Sequence, residues 1–147
     1  MPVSEIPKKK YAALLKERAL KATPVRLALL RVLAETHEPM SIPELVAHLP
    51  KERKADTVTV YRAIEAFIET GLVRQIHLRH GHMDYEFALH PDHHHLVCTH
   101  CGRMEEFADC DMDALVKTVL KQHPSFASIQ EHALELFGVC MACSKTN

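Results

Sequence analysis

Two cysteine pairs, Cys98-Thr99-His100-Cys101 and Cys140-Met141-Ala142-Cys143, constrain this chain more than any other feature. Two residues between the cysteines let both sulfurs of a tight turn face one ion, and four thiolates supplied by two such pairs are what a tetrahedral structural zinc requires. A redox motif of the thioredoxin kind needs a strand-helix-strand setting that is absent around these pairs, and disulfides need an oxidising compartment. The gap of about forty residues between the pairs exceeds that of a compact zinc ribbon, so the metal is expected to fasten the C-terminal tail back onto a domain. The fifth cysteine, Cys110, is unpaired in sequence and reads as a buried or idle thiol.

With 147 residues, 47% of them apolar and 25% charged, the chain suits one or two small globular domains. A thin second core would draw support from zinc. The N-terminus has no apolar run of signal-peptide length and no window approaches a membrane span, so a cytoplasmic protein with reduced thiolates and no membrane partner is expected. A net charge of −1 gives no global sign of nucleic-acid binding, which must then come from a local patch. Charge is indeed uneven. Lys8, Lys9, Lys10, Lys16, Arg18, Lys21, Arg26 and Arg31 meet few acids at the front, whereas Asp84, Glu86, Asp92, Glu105, Glu106, Asp109, Asp111 and Asp113 crowd the back. Twelve histidines is a high count for this length, and the run His93-His94-His95 is internal, so it is no purification tag. Imidazoles outside a filled four-thiolate shell must bind something else or nothing, which places the expected sensing there.

Local signals order the chain into helices first and strands after. Tyr11 to Leu20 reads as a helix with Leu14, Leu15 and Ala19 as its apolar stripe. Thr23-Pro24 gives an N-cap and a first-turn proline, opening a second helix that should stop near Glu38. Ser41, with Pro43 and Glu44 in the first turn, opens a short third helix burying Leu45, Val46 and Leu49, and Pro50 to Ala55 reads as a polar, basic turn. Asp56 or Thr57 caps a fourth helix that runs to about Thr70 and is closed by Gly71. Within it Val60, Ile64, Phe67 and Ile68 share one face, leaving Thr59, Tyr61, Arg62 and Glu65 pointing elsewhere. Leu72 to Leu78 and Asp84 to Ala88 read as strands joined by a turn at Arg79 to His82. A short helix, a turn, a longer helix with exposed hydroxyls and an arginine, then a hairpin make a winged helix-turn-helix pattern; a plain helical bundle with Tyr61 in its core is the alternative. Leu89 to Asp92 reads as a linker. Beyond it, His95 to Cys98 and Met104 to Phe107 read as strands joined through the cysteine turn. Asp111 caps a helix with Met112, Leu115, Val116, Val119 and Leu120 inward, and Phe126 to Phe137 is expected as one more long strand.

Several motifs coincide with a known pattern: Leu20-Lys21-Ala22-Thr23 followed by Arg26, Thr59-Val60-Tyr61-Arg62, Tyr85-Glu86, the His93 to Cys101 block with Gly102, Glu105-Glu106-Phe107, and His132 ahead of Gly138-Val139-Cys140 and Cys143. In these the chain resembles, over nearly its whole length, the ferric uptake regulator family of bacterial metal-responsive repressors. The resemblance implies an α+β chain with an N-terminal winged helix-turn-helix DNA-binding domain (1–88), a hinge (89–92) and a small C-terminal α/β dimerisation and metal-binding domain with structural zinc (93–147). It implies a homodimer that binds palindromic double-stranded operator DNA once a regulatory divalent metal is taken up. By position Glu86, His93, His95 and Glu106 match the family's hinge site, and imidazoles with carboxylates suit iron(II), zinc(II) or manganese(II) without discriminating among them. Asp92, His94, Asp113 and His132 match an additional metal site of some members. Lys16, Lys21, Arg26 and Arg62 would neutralise phosphates or reach bases, beside the hydroxyl of Thr59, and Tyr61 would meet the backbone or a thymine methyl.

The chain departs from the family pattern in places. Pro39 stands where many iron-type members have a hinge histidine, with His37 the nearest candidate for a fifth ligand, and His94 stands where such members often have aspartate. Peroxide-sensing members favour aspartate where this chain has Glu106, so a peroxide-responsive regulator is the alternative rather than the leading reading. From other classes, a zinc hydrolase would need an open coordination position and a motif such as H-E-x-x-H, which does not occur, and a metal-storage protein would leave the basic helices unexplained. A regulator that is not an enzyme and takes no small-molecule substrate is therefore expected.

Overall fold

The computed structural model describes residues 8–108 and 110–146. The first seven positions of the expected first domain, Asp109 of the acidic stretch and Asn147 lie outside the described residues. The chain divides into two compact units between His90 and Pro91.

In the first unit, α1 (Lys8–Glu17) is followed by α2 (Pro24–Glu35), α3 (Ile42–His48), a single 3-10 turn (Lys51–Arg53), α4 (Thr57–Glu69), β1 (Val73–Ile76) and β2 (Asp84–Phe87). The caps set the helix starts: Thr23 Oγ1 accepts from Arg26 N, Asp56 Oδ1 accepts from Thr59 N at 2.7 Å, and Ser41 and Glu44 complete a reciprocal capping box. Such caps are each worth about 1 kcal/mol. Helix α4 ends in a Schellman motif, with Gly71 at φ 72° and the Leu72 N–H donating to Phe67 O at 2.8 Å. Val60, Ile64 and Phe67 are fully buried, and at about 1.5–3 kcal/mol per side chain this face fixes the helix from inside. The alternative of a bundle with Tyr61 in its core is excluded, since Tyr61 is 47% exposed. Two boundaries move inward. Helix α2 stops at Glu35 with Thr36 as its C-cap rather than near Glu38, and Ala19 lies beyond α1 at a left-handed φ of 56° instead of joining the apolar stripe, which Tyr11 and Leu15 supply.

Strands β1 and β2 pair antiparallel, with Arg74 opposite Glu86 and Ile76 opposite Asp84. On its other side β2 bridges to Met40, through Met40 N to Tyr85 O at 2.9 Å and Tyr85 N to Met40 O at 2.8 Å. All four residues of β2 are buried, so the half-exposed alternation of a strand with one solvated face is absent.

The second unit holds β3 (His94–Cys98), β4 (Met104–Phe107), α5 (Met112–Gln122), β5 (Glu135–Gly138) and a last short helix α6 (Met141–Ser144). The sheet order is β4-β3-β5, with β3 antiparallel to β4 and parallel to β5. Two expectations fail here. The long strand over 126–137 contracts to Glu135–Gly138, because β3 has only five residues to offer a partner. Helix α5 forms where Asp111 caps it, yet none of its residues is buried, and Leu115 is 54% exposed. Leu96 and Leu136, register partners across β3 and β5, are exposed as well. The apolar positions are placed as periodicity requires, but the described residues of this unit supply no layer to cover them.

Candidate metal centres and nucleic-acid face

The parallel register of β3 and β5 sets Cys98 opposite Gly138, two positions before Cys140, and so joins cysteine pairs some forty residues apart in sequence. Gly102, at φ 75°, reverses the chain after Cys101, and its N–H donates to Cys98 O at 2.9 Å. All four sulfurs lie within 4.8 Å of one another, and Cys101 Sγ is 3.7 Å from Cys140 Sγ. Four Zn–S bonds of about 2.3 Å in a tetrahedron put the sulfurs about 3.8 Å apart, so the set fits zinc and is far too open for a disulfide. Backbone N–H groups of Cys101 and Cys140, the latter 3.3 Å from the sulfur, favour the Cys98 thiolate and hold its pKa at about 5. Cys143 shares hydrogen bonds with the sulfurs of Cys140 and Cys101 and is pushed up to about 12. Within the cluster the surroundings of Cys98 therefore favour its thiolate, and those of Cys143 favour its thiol.

The three adjacent histidines separate by side-chain direction. The rings of His93 and His95 meet edge-on with centroids 5.0 Å apart, and His95 is the register partner of Glu106 across β3 and β4. His94 gathers with Asp92 and His132: the three offer donor atoms within 4.8 Å of one another, with His132 Nε2 at 3.6 Å from Asp92 Oδ2. Asp113, in the first turn of α5, is not in this group. Cys110 is a half-buried free thiol whose sulfur lies 2.8 Å from His94 Nε2. In the first unit, Glu86 is buried on β2 and accepts from Arg74 Nε at 2.5 Å. His37 stacks on His90 at 5.3 Å, and His90 Nε2 is 3.1 Å from Ala34 O.

Reading Arg79 to His82 as a plain turn misses one further group. His80, His82 and Asp84 also bring donor atoms within 4.8 Å of one another; the alternating His-Gly-His-Met-Asp spacing was the available signal.

Buried Val60, Ile64 and Phe67 turn the opposite face of α4, with Thr59, Tyr61 and Arg62, to solvent. Lys16 and Lys21 are exposed, while Arg26 is half-buried and donates through Nη1 to Lys21 O at 3.2 Å. A sequence model described as the ferric uptake regulator family matches residues 17–137. The chain belongs to the ferric uptake regulator family. Among its relatives, the ferric uptake regulation protein of Legionella pneumophila is 32% identical over 131 residues, covering 88% of this chain and 95% of that one. The peroxide-responsive repressor PerR of Staphylococcus epidermidis is 27% identical over 134 residues, covering 90% and 87%. The solved structure of the Pseudomonas aeruginosa ferric uptake regulator with manganese is 26% identical, covers 89% of this chain and 98% of that one, and superposes with a TM-score of 0.75. Ferric uptake regulator family proteins are metal-responsive transcription regulators rather than enzymes, which sets aside the hydrolase and storage readings. No helix among the described residues is long and apolar enough to cross a membrane.

Proposed function

We propose that this protein is a cytoplasmic, homodimeric repressor that binds palindromic operator DNA when iron(II) or zinc(II) fills a regulatory site made by Glu86, His93, His95 and Glu106. The observation that carries the reading is the exposed face of α4, where Thr59, Tyr61 and Arg62 stand on a helix whose opposite face is locked into the core. Such a helix presents hydroxyl, phenol and guanidinium groups of the kind that contact phosphates and base edges in a major groove. Four thiolates on Cys98, Cys101, Cys140 and Cys143 hold structural zinc, which contributes to folding the second unit. The exposed apolar residues Leu96, Leu115 and Leu136 favour a second copy of the chain as their cover. The imidazoles of His93 and His95 and the carboxylate of Glu106, the register partner of His95, are a donor set suited to such an ion, and Glu86 on β2 is the proposed fourth ligand. A metal bound better in one arrangement of the dimer than in others shifts the population toward that arrangement, and repression follows if its recognition helices fit successive major grooves. The additional group of Asp92, His94 and His132 would hold a second ion within the C-terminal unit.

The test is operator binding at buffered free iron(II), zinc(II) and manganese(II), with the structural zinc counted throughout. Metal-dependent binding by at least one of these ions, with DNA affinity rising at unchanged structural zinc, is expected. Equal DNA affinity with and without added metal would overturn the reading. A response to peroxide in place of free metal would favour the peroxide-responsive alternative.

A further inference from the structure

On the wing, His80 and His82 lie in the turn that leads into β2, and Asp84 is the first residue of that strand. His80 Nε2 is 2.6 Å from Asp84 Oδ2, and His82 Nε2 is 3.6 Å from Asp84 Oδ1. The imidazoles stack with centroids 3.8 Å apart and planes 23° from parallel. Arg79 and Gly81 both adopt left-handed backbone, at φ 62° and 91°, and so curl the turn that carries both rings toward the carboxylate. For a non-glycine residue such as Arg79 this conformation is uncommon and needs support from its surroundings. The carboxylate is 3% exposed, and a buried carboxylate must be compensated by cationic charge and hydrogen bonds. Glu44, held in its capping box, acts electrostatically on both His82 and Asp84 and adds to the negative potential. Two stacked imidazolium cations would repel each other, whereas two neutral imidazoles can donate to a single cation.

We propose that His80, His82 and Asp84 form a divalent-metal site on the wing, separate from the cysteine and histidine sites, which takes a borderline nitrogen- and oxygen-ligated ion of the zinc class. Two imidazoles and one carboxylate make a set suited to zinc, cobalt or iron(II), with remaining coordination positions open to water. The bound ion ties the turn to the start of β2, so its occupancy orders the wing. The inference does not depend on the DNA-binding reading, because ion and hairpin are both read out without DNA.

The test uses the full chain with its cysteine site loaded with zinc. Zinc is titrated into wild type, H80A/H82A and D84N, bound zinc per chain is counted after dialysis at buffered free zinc, and amide exchange is followed over residues 77–84. The exposed histidines, at 39% and 55% side-chain exposure, can be removed without opening the core, so the double variant guards against an unfolded D84N protein. The expected result is one zinc fewer per chain in H80A/H82A, at least tenfold weaker binding of that equivalent in D84N, and zinc-dependent slowing of exchange over 77–84 in wild type only. Equal zinc counts in wild type and H80A/H82A, or exchange over 77–84 indifferent to zinc, would overturn the site and leave the cluster as a hydrogen-bonded His-Asp turn.

Discussion

Arg74 and Glu86 are register partners across the wing hairpin, and the guanidinium Nε donates to Glu86 Oε1 at 2.5 Å. The carboxylate is buried while Arg74 is 35% exposed, so the guanidinium and any incoming metal compete for the same buried anion. Arg74→Ala should therefore raise affinity for the regulatory metal severalfold while destabilising the apo protein by about 1–3 kcal/mol through the lost charge-assisted hydrogen bond. Metal titration against a chelator and a urea midpoint give the two quantities. Unchanged metal affinity would count against Glu86 as a ligand.

Zinc uptake by the cysteine cluster should release protons in a telling number. Cys98, held near 5, is already a thiolate at pH 7, whereas Cys143, pushed to about 12, must give up its proton to bind. Calorimetry in buffers of different ionisation enthalpy should thus find at least one and fewer than four protons per zinc at pH 7. Below about pH 5 the Cys98 thiolate is protonated in the apo cluster, so the count should rise there. Four protons at pH 7 would contradict the preformed thiolate. In the same cluster, Cys143→Ser should lose zinc and much of the second unit's stability, as read by mass spectrometry and thermal melting.

Arg62 lies on the exposed face of α4, away from Val60, Ile64 and Phe67. Arg62→Ala should leave the melting temperature and metal content intact yet weaken operator binding. A base-edge contact would cost about 1–3 kcal/mol, and a phosphate contact would instead lower the salt slope by about one. Gel-shift titrations at two salt concentrations distinguish these, and an Arg62→Ala affinity equal to that of wild type at both would count against α4 as the reading helix.

His93→Ala should keep the structural zinc, because it touches none of the four cysteines, but should require far more metal for operator binding. Linkage adds a second measurement: operator DNA must raise the wild-type affinity for the regulatory metal by the factor that metal raises affinity for DNA. Metal titrations with and without operator that give equal affinities would show that the histidine cluster is not the switch.

Much of the first unit was legible in the sequence because its determinants are local. Thr23, Ser41 and Asp56 cap helices through atoms three residues away, and Gly71 ends α4 where a left-handed residue is needed. The spacing of Val60, Ile64 and Phe67 fixes which face of α4 is buried, and therefore that Thr59, Tyr61 and Arg62 are exposed. Cysteine spacing likewise specifies a four-thiolate cluster without reference to the fold.

Tertiary structure decided what depends on residues far apart in the chain. The parallel pairing of β5 with β3 has no local signature, yet it sets Cys98 opposite Gly138 and so assembles the thiolates; the same short β3 limits β5 to four residues where periodicity suggested a long strand. Periodicity placed Leu115 on the apolar face of α5 but could not say whether anything covers it, because burial is a property of the neighbouring layer and not of the helix. His80, His82 and Asp84 became a group only when left-handed backbone at Arg79 and Gly81 curled the turn toward a buried carboxylate. Caps and periods act over three or four residues and can be read from a sequence, whereas strand pairing, burial and ligand convergence are fixed by contacts that the chain makes only once it has folded.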